Sequence, residues 1–253
     1  MKAMVLAAGL GTRLRPLTDD KPKALVEIEG RTLLELTLTR LRRFGVSDVI
    51  VNVHHFADMI LDYLAAKQNF GMGIVISRED ELLDTGGGLK KAAWFFLEAS
   101  RDEPFVLHNV DVLSNIDLAR MVRFHKENQA LVSLAVQQRN SSRYLLFDEQ
   151  GHLCGRRFER EQPTALGRDN EALTPLAFCG VHVLSPRFLP MMTETGAFSI
   201  IETYLRLAAG DERMLGFLAD GCYWRDLGTT DSLLAAANEM VAHDSAALRE
   251  RGD

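Results

Sequence analysis

The sequence predicts an α/β fold with a mostly parallel mixed central sheet. Two patterns carry that reading. Short apolar runs alternate with amphipathic helical stripes through the first half, the signature of strands joined by helical crossovers. Each of the first four strand-like runs is also followed by a polar, glycine-rich, histidine-bearing or acidic segment. Ligands of open α/β sheets gather at such places, outside the carboxyl ends of the strands.

Taken in order, Met4, Val5 and Leu6 open a strand over residues 4–8. Thr32 with Glu35 three residues on has capping-box spacing, Leu34, Leu38 and Leu41 form an apolar stripe, and Gly45 is a stop. Residues 49–53 read as a second strand, 57–64 as a helix with Ile60, Leu61 and Leu64 on one side, and 73–77 as a third strand. A helix over 88–98 and a strand beginning at 105–107 complete the first half. The segments outside the strand ends are then 9–23, His54-His55, 79–88 and 109–111.

From residue 131 the pattern changes. Residues 131–136, 144–147 and 176–184 read as strands, with a turn at 148–151, and helices return at 186–192, 200–209 and 230–241. The polar stretch 161–173 carries Pro163 and Gly167 and reads as a mobile loop. Residues 244–253 read as a charged tail that frays. With no repeat, low-complexity segment or long linker, the expectation is one domain over 1–253.

Composition excludes several classes. The 253 residues are 47% hydrophobic and 25% charged, ordinary for a soluble globular chain. Net charge is −6 with no basic block, which argues against a nucleic-acid surface. No apolar run reaches a membrane span and no charged n-region precedes a long apolar run, so the expectation is a cytoplasmic protein with no membrane partner. Cys154, Cys179 and Cys222 are odd in number and lack metal-ligand spacing, so they read as reduced, mostly buried thiols.

The chemistry concentrates in residues 7–23. Ala7, Ala8, Gly9, Leu10, Gly11 and Thr12 follow the first strand, and Arg13, Arg15 and Lys23 supply positive charge. Glycines let a backbone approach a ligand and turn its N–H groups toward anionic oxygens. A dinucleotide fingerprint needs a third glycine where Leu14 stands, and a Walker A loop needs Gly-Lys-Ser/Thr where Gly11-Thr12-Arg13 stands, so both are disfavoured. A phosphate cradle and a plain glycine-rich turn with surface cations both remain. Asp111, at the exit of the fourth strand, and Asp226, before the last helix, each suit either Mg²⁺ ligation or a turn role. The run Asp84-Thr85-Gly86-Gly87-Gly88 reads as a loop feeding free N–H donors at a helix start. Glu79 reads as an exposed carboxylate, and the adjacent His54 and His55 as structural, because neighbours on a strand point apart.

The stretch G-L-G-T-R-x-x-P-L-T-x-x-x-P-K resembles the signature of the sugar-1-phosphate nucleotidyltransferases (nucleoside-diphosphate-sugar pyrophosphorylases), and Trp224-x-Asp226-x-Gly228-Thr229 is similar to a second family motif. The Asp-Thr-Gly-Gly-Gly run looks most like the short N-acetylmuramate-1-phosphate uridylyltransferases, with similar loops in mannose-1-phosphate guanylyltransferases. The resemblance implies a single Rossmann-like three-layer domain of the nucleotide-diphospho-sugar transferase type. It divides into a nucleotide-binding half over 1–115, a sugar-phosphate-binding half over 116–243 and the tail over 244–253. Implied partners are a nucleoside triphosphate, with UTP favoured over GTP, and an amino-sugar or hexose 1-phosphate. Ala7, Ala8, Gly9, Gly11, Thr12, Arg13, Lys23, Thr85, Gly86 and Gly87 would hold the nucleotide. Arg13 would also steady departing pyrophosphate and Lys23 the phosphoryl oxygens. Asp111 and Asp226 would hold Mg²⁺, and Asn109, Gly180 and Ser199 would line the sugar-phosphate site. The family's glutamate-lysine-proline triplet is Glu161-Gln162-Pro163 here, leaving Arg156, Arg157 or Arg160 as candidates for the missing lysine. The alternative from another class is a non-catalytic nucleotide-sugar sensor. The presence of Arg13, Lys23, Asp111 and Asp226 together favours an enzyme.

Overall fold

The computed structural model describes residues 1–98, 103–158, 164–165 and 173–249. The chain opens with β1 (Lys2–Leu6), a short hairpin of β2 (Glu27–Ile28) and β3 (Arg31–Thr32), then α1 (Leu33–Arg43) and β4 (Asp48–Val53). It continues through α2 (Ala57–Ala66), β5 (Gly73–Arg78), α3 (Asp84–Lys91), α4 (Ala93–Leu97), β6 (Phe105–Asn109), β7 (Val112–Ser114) and α5 (Leu118–Glu127). The remainder comprises β8 (Val132–Gln137), β9 (Arg143–Phe147), β10 (Leu153–Phe158), β11 (Thr164–Ala165), β12 (Thr174–Leu184), α6 (Ile200–Ala209), β13 (Met214–Leu218), β14 (Trp224–Asp226) and α7 (Thr230–Arg249).

The first half is a parallel sheet in the order β5-β4-β1-β6, with Ala3 facing Val49 on one side and Val106 on the other. From β1 the chain moves outward to β4 and β5, then returns to β6 on the opposite side. The switch point therefore lies between the carboxyl ends of β1 and β6, where a crevice is expected. The second half joins antiparallel through β12 against β6, so the whole sheet is mixed. β12 pairs with β9 over residues 174–176 and with β8 over 177–184, with a register break between Phe178 and His182.

Alternation along the strands sorts side chains into two cores. Ala3, Val5, Val49 and Val51 face α1, α2, α5 and α7, while Met4, Ile50, Phe105 and Leu107 face α3, α4 and α6. Three layers result, as predicted. In α1 the Thr32 hydroxyl accepts from the Glu35 N–H at 3.0 Å, and Leu34, Leu38 and Leu41 are fully buried. Each such leucine contributes about 1.5–3 kcal/mol of burial.

Several expectations need correction. The glycine triplet is not a loop before a helix: α3 starts at Asp84 and contains Gly86, Gly87 and Gly88, and the predicted 88–98 helix is broken at Ala92. Residues 186–191 form a 3₁₀ turn rather than an α-helix. The helix from Thr230 continues to Arg249, so 244–249 are helical rather than a frayed tail, consistent with Ala246, Ala247 and Leu248 being good helix formers. Most of the predicted mobile loop lies outside the described residues, although Thr164 and Ala165 pair with β10.

Candidate functional site

Loop 7–23 leaves β1 at the switch point. Ala7 and Ala8 are buried; Gly9 is exposed, and an added Cβ there would meet nothing within 4 Å. Gly9 is thus the position open to a ligand. Gly11 serves differently: its φ is +66°, and a Cβ would lie 2.9 Å from Thr18 Cγ2 and 3.0 Å from Lys23 Cβ. Thr18 ties the turn by donating its hydroxyl to the Gly11 carbonyl at 2.9 Å. Thr12 and Arg13 follow in an exposed 3₁₀ turn.

The floor of the loop rests on a polar relay that sequence reasoning missed. Ala7 donates its N–H to Asn52 Oδ1 at 2.8 Å, Asn52 Nδ2 donates to Glu79 Oε1 at 2.7 Å, and Glu79 Oε2 accepts the Leu83 N–H at 3.0 Å. Glu79 is therefore buried, not exposed, and joins the ends of three strands. Asn52 was the available signal, a carboxamide inside the apolar run of β4. Gly88 makes room for this relay, since its Cβ would lie 2.8 Å from Glu79 Oε1. His54 also serves the loop, its Nδ1 lying 2.9 Å from the Glu79 carbonyl.

A two-stranded ribbon brings the distant aspartates together. β14 pairs antiparallel with β7, Asp226 faces Val112, and Leu227 donates its N–H to the Asp111 carbonyl at 2.8 Å. The ammonium of Lys23 contacts Asp111 Oδ2, with side chains only 11% and 16% exposed. Asp226 Oδ1 accepts the Gly228 N–H at 2.6 Å. A Cβ on Gly228 would lie 2.6 Å from both Asp226 Oδ1 and Arg13 Nη2, so Arg13 leans over the same corner. Arg13 and Lys23 from the 7–23 loop, Asp111 from the exit of β6 and Asp226 from β14 are thus collected from three separate stretches. Among the described residues no three His, Cys, Asp or Glu side chains cluster as a self-sufficient metal site. Two carboxylates do suit Mg²⁺, which completes its shell with water and phosphate oxygens.

Behind Asp111, α1 contributes a partly buried cation. Arg40 Nη1 donates to His108 Nε2 at 2.9 Å, and Nη2 donates to the Ile116 carbonyl. His108 Nδ1 lies 2.7 Å from the Asn109 carbonyl, which can only accept, so the proton sits on Nδ1. Burial, then the Arg40 charge, hold His108 down to about 3, and burial lowers Arg40 to about 10.

Two cavities meet here. One of about 460 Å³ is lined by Ala8, Gly9, Lys23, Glu79, Leu82 and Asp111. The other, about 710 Å³, is lined by Arg143, Arg156, Phe158, Phe178, His182 and Ser199. Asp84, Thr85 and Asn109 line both and form the shared wall. Thr85 is fixed there by accepting the Ile200 N–H at 3.0 Å.

Three predicted glycines turn out to face protein. A Cβ on Gly86 would lie 2.2 Å from the Phe198 ring, and one on Gly87 would lie 2.5 Å from the Gly196 carbonyl. Their bareness seats α3 against residues 196–198 rather than opening a ligand face. Gly180 has φ +71° at the β12 irregularity, and its Cβ would meet Val112 at 2.7 Å and Asn109 at 3.0 Å. It makes room for Asn109, not directly for a sugar. The triplet Glu161-Gln162-Pro163 and Arg160 lie outside the described residues. Of the remaining candidates, Arg156 faces the larger cavity while Arg157 packs over Tyr144.

Comparison with known proteins identifies the family and supports the fold. The family model described as Nucleotidyl transferase matches residues 2–243. The chain is 35% identical over 248 residues to the N-acetylmuramate alpha-1-phosphate uridylyltransferase of Caulobacter vibrioides, covering 94% of this chain and 96% of that one. It is 30% identical to the mannose-1-phosphate guanyltransferase of Yarrowia lipolytica, across 93% of this chain but 62% of that protein. A crystal structure of UDP-glucose pyrophosphorylase complexed with UDP-glucose superposes with a TM-score of 0.77 at 19% identity, covering 96% and 98% of the chains, which supports the fold.

Proposed function

The chain belongs to the nucleotidyl transferase family, and we propose that it joins a nucleoside triphosphate to a sugar 1-phosphate, releasing pyrophosphate. The observation that carries the reading is the meeting of Arg13, Lys23, Asp111 and Asp226 where two cavities share a wall. The smaller cavity, with the 7–12 backbone, takes the triphosphate, and Thr85 and Leu82 flank its base. The larger takes the sugar, with Asn109 and Ser199 on its ring. On this reading 1–115 form the nucleotide half, and 116–243 form the sugar half while returning Asp226 to the reacting centre.

A phosphate oxygen of the sugar 1-phosphate attacks the α-phosphorus in line. One P–O bond forms as the bond to the β-phosphate breaks, and pyrophosphate carries away the electron pair. No protein nucleophile is needed, so the side chains act by positioning and charge. Lys23 exchanges its contact with Asp111 for oxygens of the transferring phosphoryl group. Arg13, exposed at the loop surface, covers the departing pyrophosphate. Gly9 lets the backbone N–H groups approach the triphosphate. Asp111 and Asp226 would hold Mg²⁺, which supplies further charge neutralisation when bound.

UTP with an amino-sugar 1-phosphate is favoured by the similarity to the uridylyltransferase that spans nearly the same length. GTP with mannose 1-phosphate is the second reading, supported by the guanyltransferase similarity. The reading implies a cytoplasmic enzyme, since nucleoside triphosphates are made there; no described helix is long and apolar enough to cross a membrane. Asp111→Asn and Asp226→Asn test it. Each is expected to lower kcat by about 10²–10³, and near-normal turnover in Mg²⁺ by either variant would overturn the assignment.

A further inference from the structure

β12 breaks step with β8 beside the two cavities. Phe178 pairs with Val136 and His182 with Leu134, so residues 179–181 stand opposite Ala135 alone. A bulge of this kind turns backbone groups out of the ladder, and each must find another partner. Two side chains from elsewhere supply them. Arg139, just after β8, donates Nη2 to the Phe178 carbonyl at 2.8 Å, and Trp224 on β14 donates Nε1 to the Cys179 carbonyl at 2.8 Å. These two side chains also meet each other. Arg139 Cζ lies 3.6 Å from the centre of the Trp224 ring, so a guanidinium covers the indole.

The closed unit joins the wall of the larger cavity to the aspartate corner. At one end, Phe178 lines that cavity. At the other, Trp224 and Asp226 are alternate residues of one three-residue strand and share a face of it. The partner strand touches the bulge too: a Cβ on Gly180 would lie 2.7 Å from Val112, the residue paired with Asp226. The base from which Arg139 reaches is pinned to the approach to β14. Gln137 Nε2 donates to the carbonyls of Ala219 and Cys222 at 2.9 and 2.8 Å, and Gln138 donates its N–H to Asp220 Oδ1 at 2.8 Å. Neither Arg139 nor Trp224 lines the two cavities, so their reach to the site runs through Phe178 and Asp226.

We propose that Arg139 is a positioning residue: stacked on Trp224 and bound to the bulge, it fixes the ribbon that carries Asp226 against the wall of the larger cavity. This rests on the proposed transferase reading, in which Asp226 would hold Mg²⁺, and names what sets that carboxylate in place. Mg²⁺ accepts little departure from octahedral geometry, so a ribbon free to shift by a fraction of an ångström holds it less well. An ammonium could not replace the guanidinium, whose plane covers the indole while its fork reaches the carbonyl.

The test titrates Mn²⁺, a visible stand-in for Mg²⁺, into the protein without substrates. Electron paramagnetic resonance follows the unbound ion, and Asp226→Asn supplies the background. Arg139→Met should weaken the Asp226-dependent binding by about 10-fold, and Arg139→Lys by nearly as much. Trp224→Phe, which keeps a ring but loses the indole N–H, should move it in the same direction. Thermal unfolding of the metal-free proteins reads folding separately. Should Arg139→Met unfold early, Trp224→Phe carries the test, since it cuts the same link from the other side. Wild-type affinity in Arg139→Met would overturn the proposal. So would full rescue by Arg139→Lys, which would make charge rather than the stack the working element. Wild type that binds no more Mn²⁺ than Asp226→Asn would strike the metal role of Asp226 and this proposal with it. Failure of the transferase reading shows elsewhere, as no pyrophosphate release from any pair of substrates.

Discussion

Lys23 places its ammonium on the carboxylate of Asp111, joining the glycine loop after β1 to the exit of β6 across the switch point of the sheet. Each charge holds the other in place in a corner that is mostly shielded. Lys23→Gln should lower kcat by about 10²–10³. On the proposed reading Lys23 and the Mg²⁺ held by Asp111 serve the same phosphoryl group, so Lys23→Gln with Asp111→Asn should lose far less than the product of the single losses. Steady-state pyrophosphate release measures both; a multiplicative loss would show that the two act independently.

Arg40 should matter although it touches neither cavity. It spans His108 and the Ile116 carbonyl on either side of the Asp111 loop. Arg40→Met leaves two buried acceptors without donors, which costs about 1–3 kcal/mol in urea unfolding. The looser loop should also raise the Mg²⁺ concentration needed for half-maximal activity. A stable variant with an unchanged Mg²⁺ requirement would remove Arg40 from the positioning role.

Gly86→Ala tests what the glycine triplet does. Its methyl would collide with the Phe198 ring, so overpacking of about 1–3 kcal/mol is expected. Tm should fall by several degrees, with KM for the triphosphate changing less than Tm implies. A large KM change at unchanged Tm would return Gly86 to the ligand face.

Stability should fall on acidification through three buried histidines. Burial is the leading cause in each: His108 and His182 are held down to about 3, and His125 to about 4. The folded chain keeps them neutral, while the unfolded chain protonates them near about 6.5. Their contribution is therefore complete above about pH 6.5 and is lost as pH falls toward 4 and then 3. The slope reaches about 1.4 kcal/mol per pH unit for each histidine. Urea midpoints at pH 7, 6 and 5 should decline accordingly; a flat profile over that range would contradict the neutral assignments.

Much of the fold was legible because it rests on spacing. The Thr32 cap, the leucine stripe of α1 and the 200–209 helix follow periodicities that burial enforces. The glycine triplet misled because low helix propensity was outweighed by close packing on residues 196–198. The aspartate pair was visible as two motifs. Their union was not, since β7 and β14 are three-residue strands too short to show alternation. Glu79 escaped because its burial depends on Asn52, a partner on another strand. The candidate residues were thus easier to name than to place.

The most direct measurement of the central claim is a pyrophosphate-release screen of four nucleoside triphosphates against a panel of sugar 1-phosphates in Mg²⁺. Release that requires both substrates, is strongest with UTP and an amino-sugar 1-phosphate, and is accompanied by the matching nucleotide-sugar is the predicted result. No release from any pair, with nucleotide-sugar binding intact, would contradict it and make the protein a sensor on this fold.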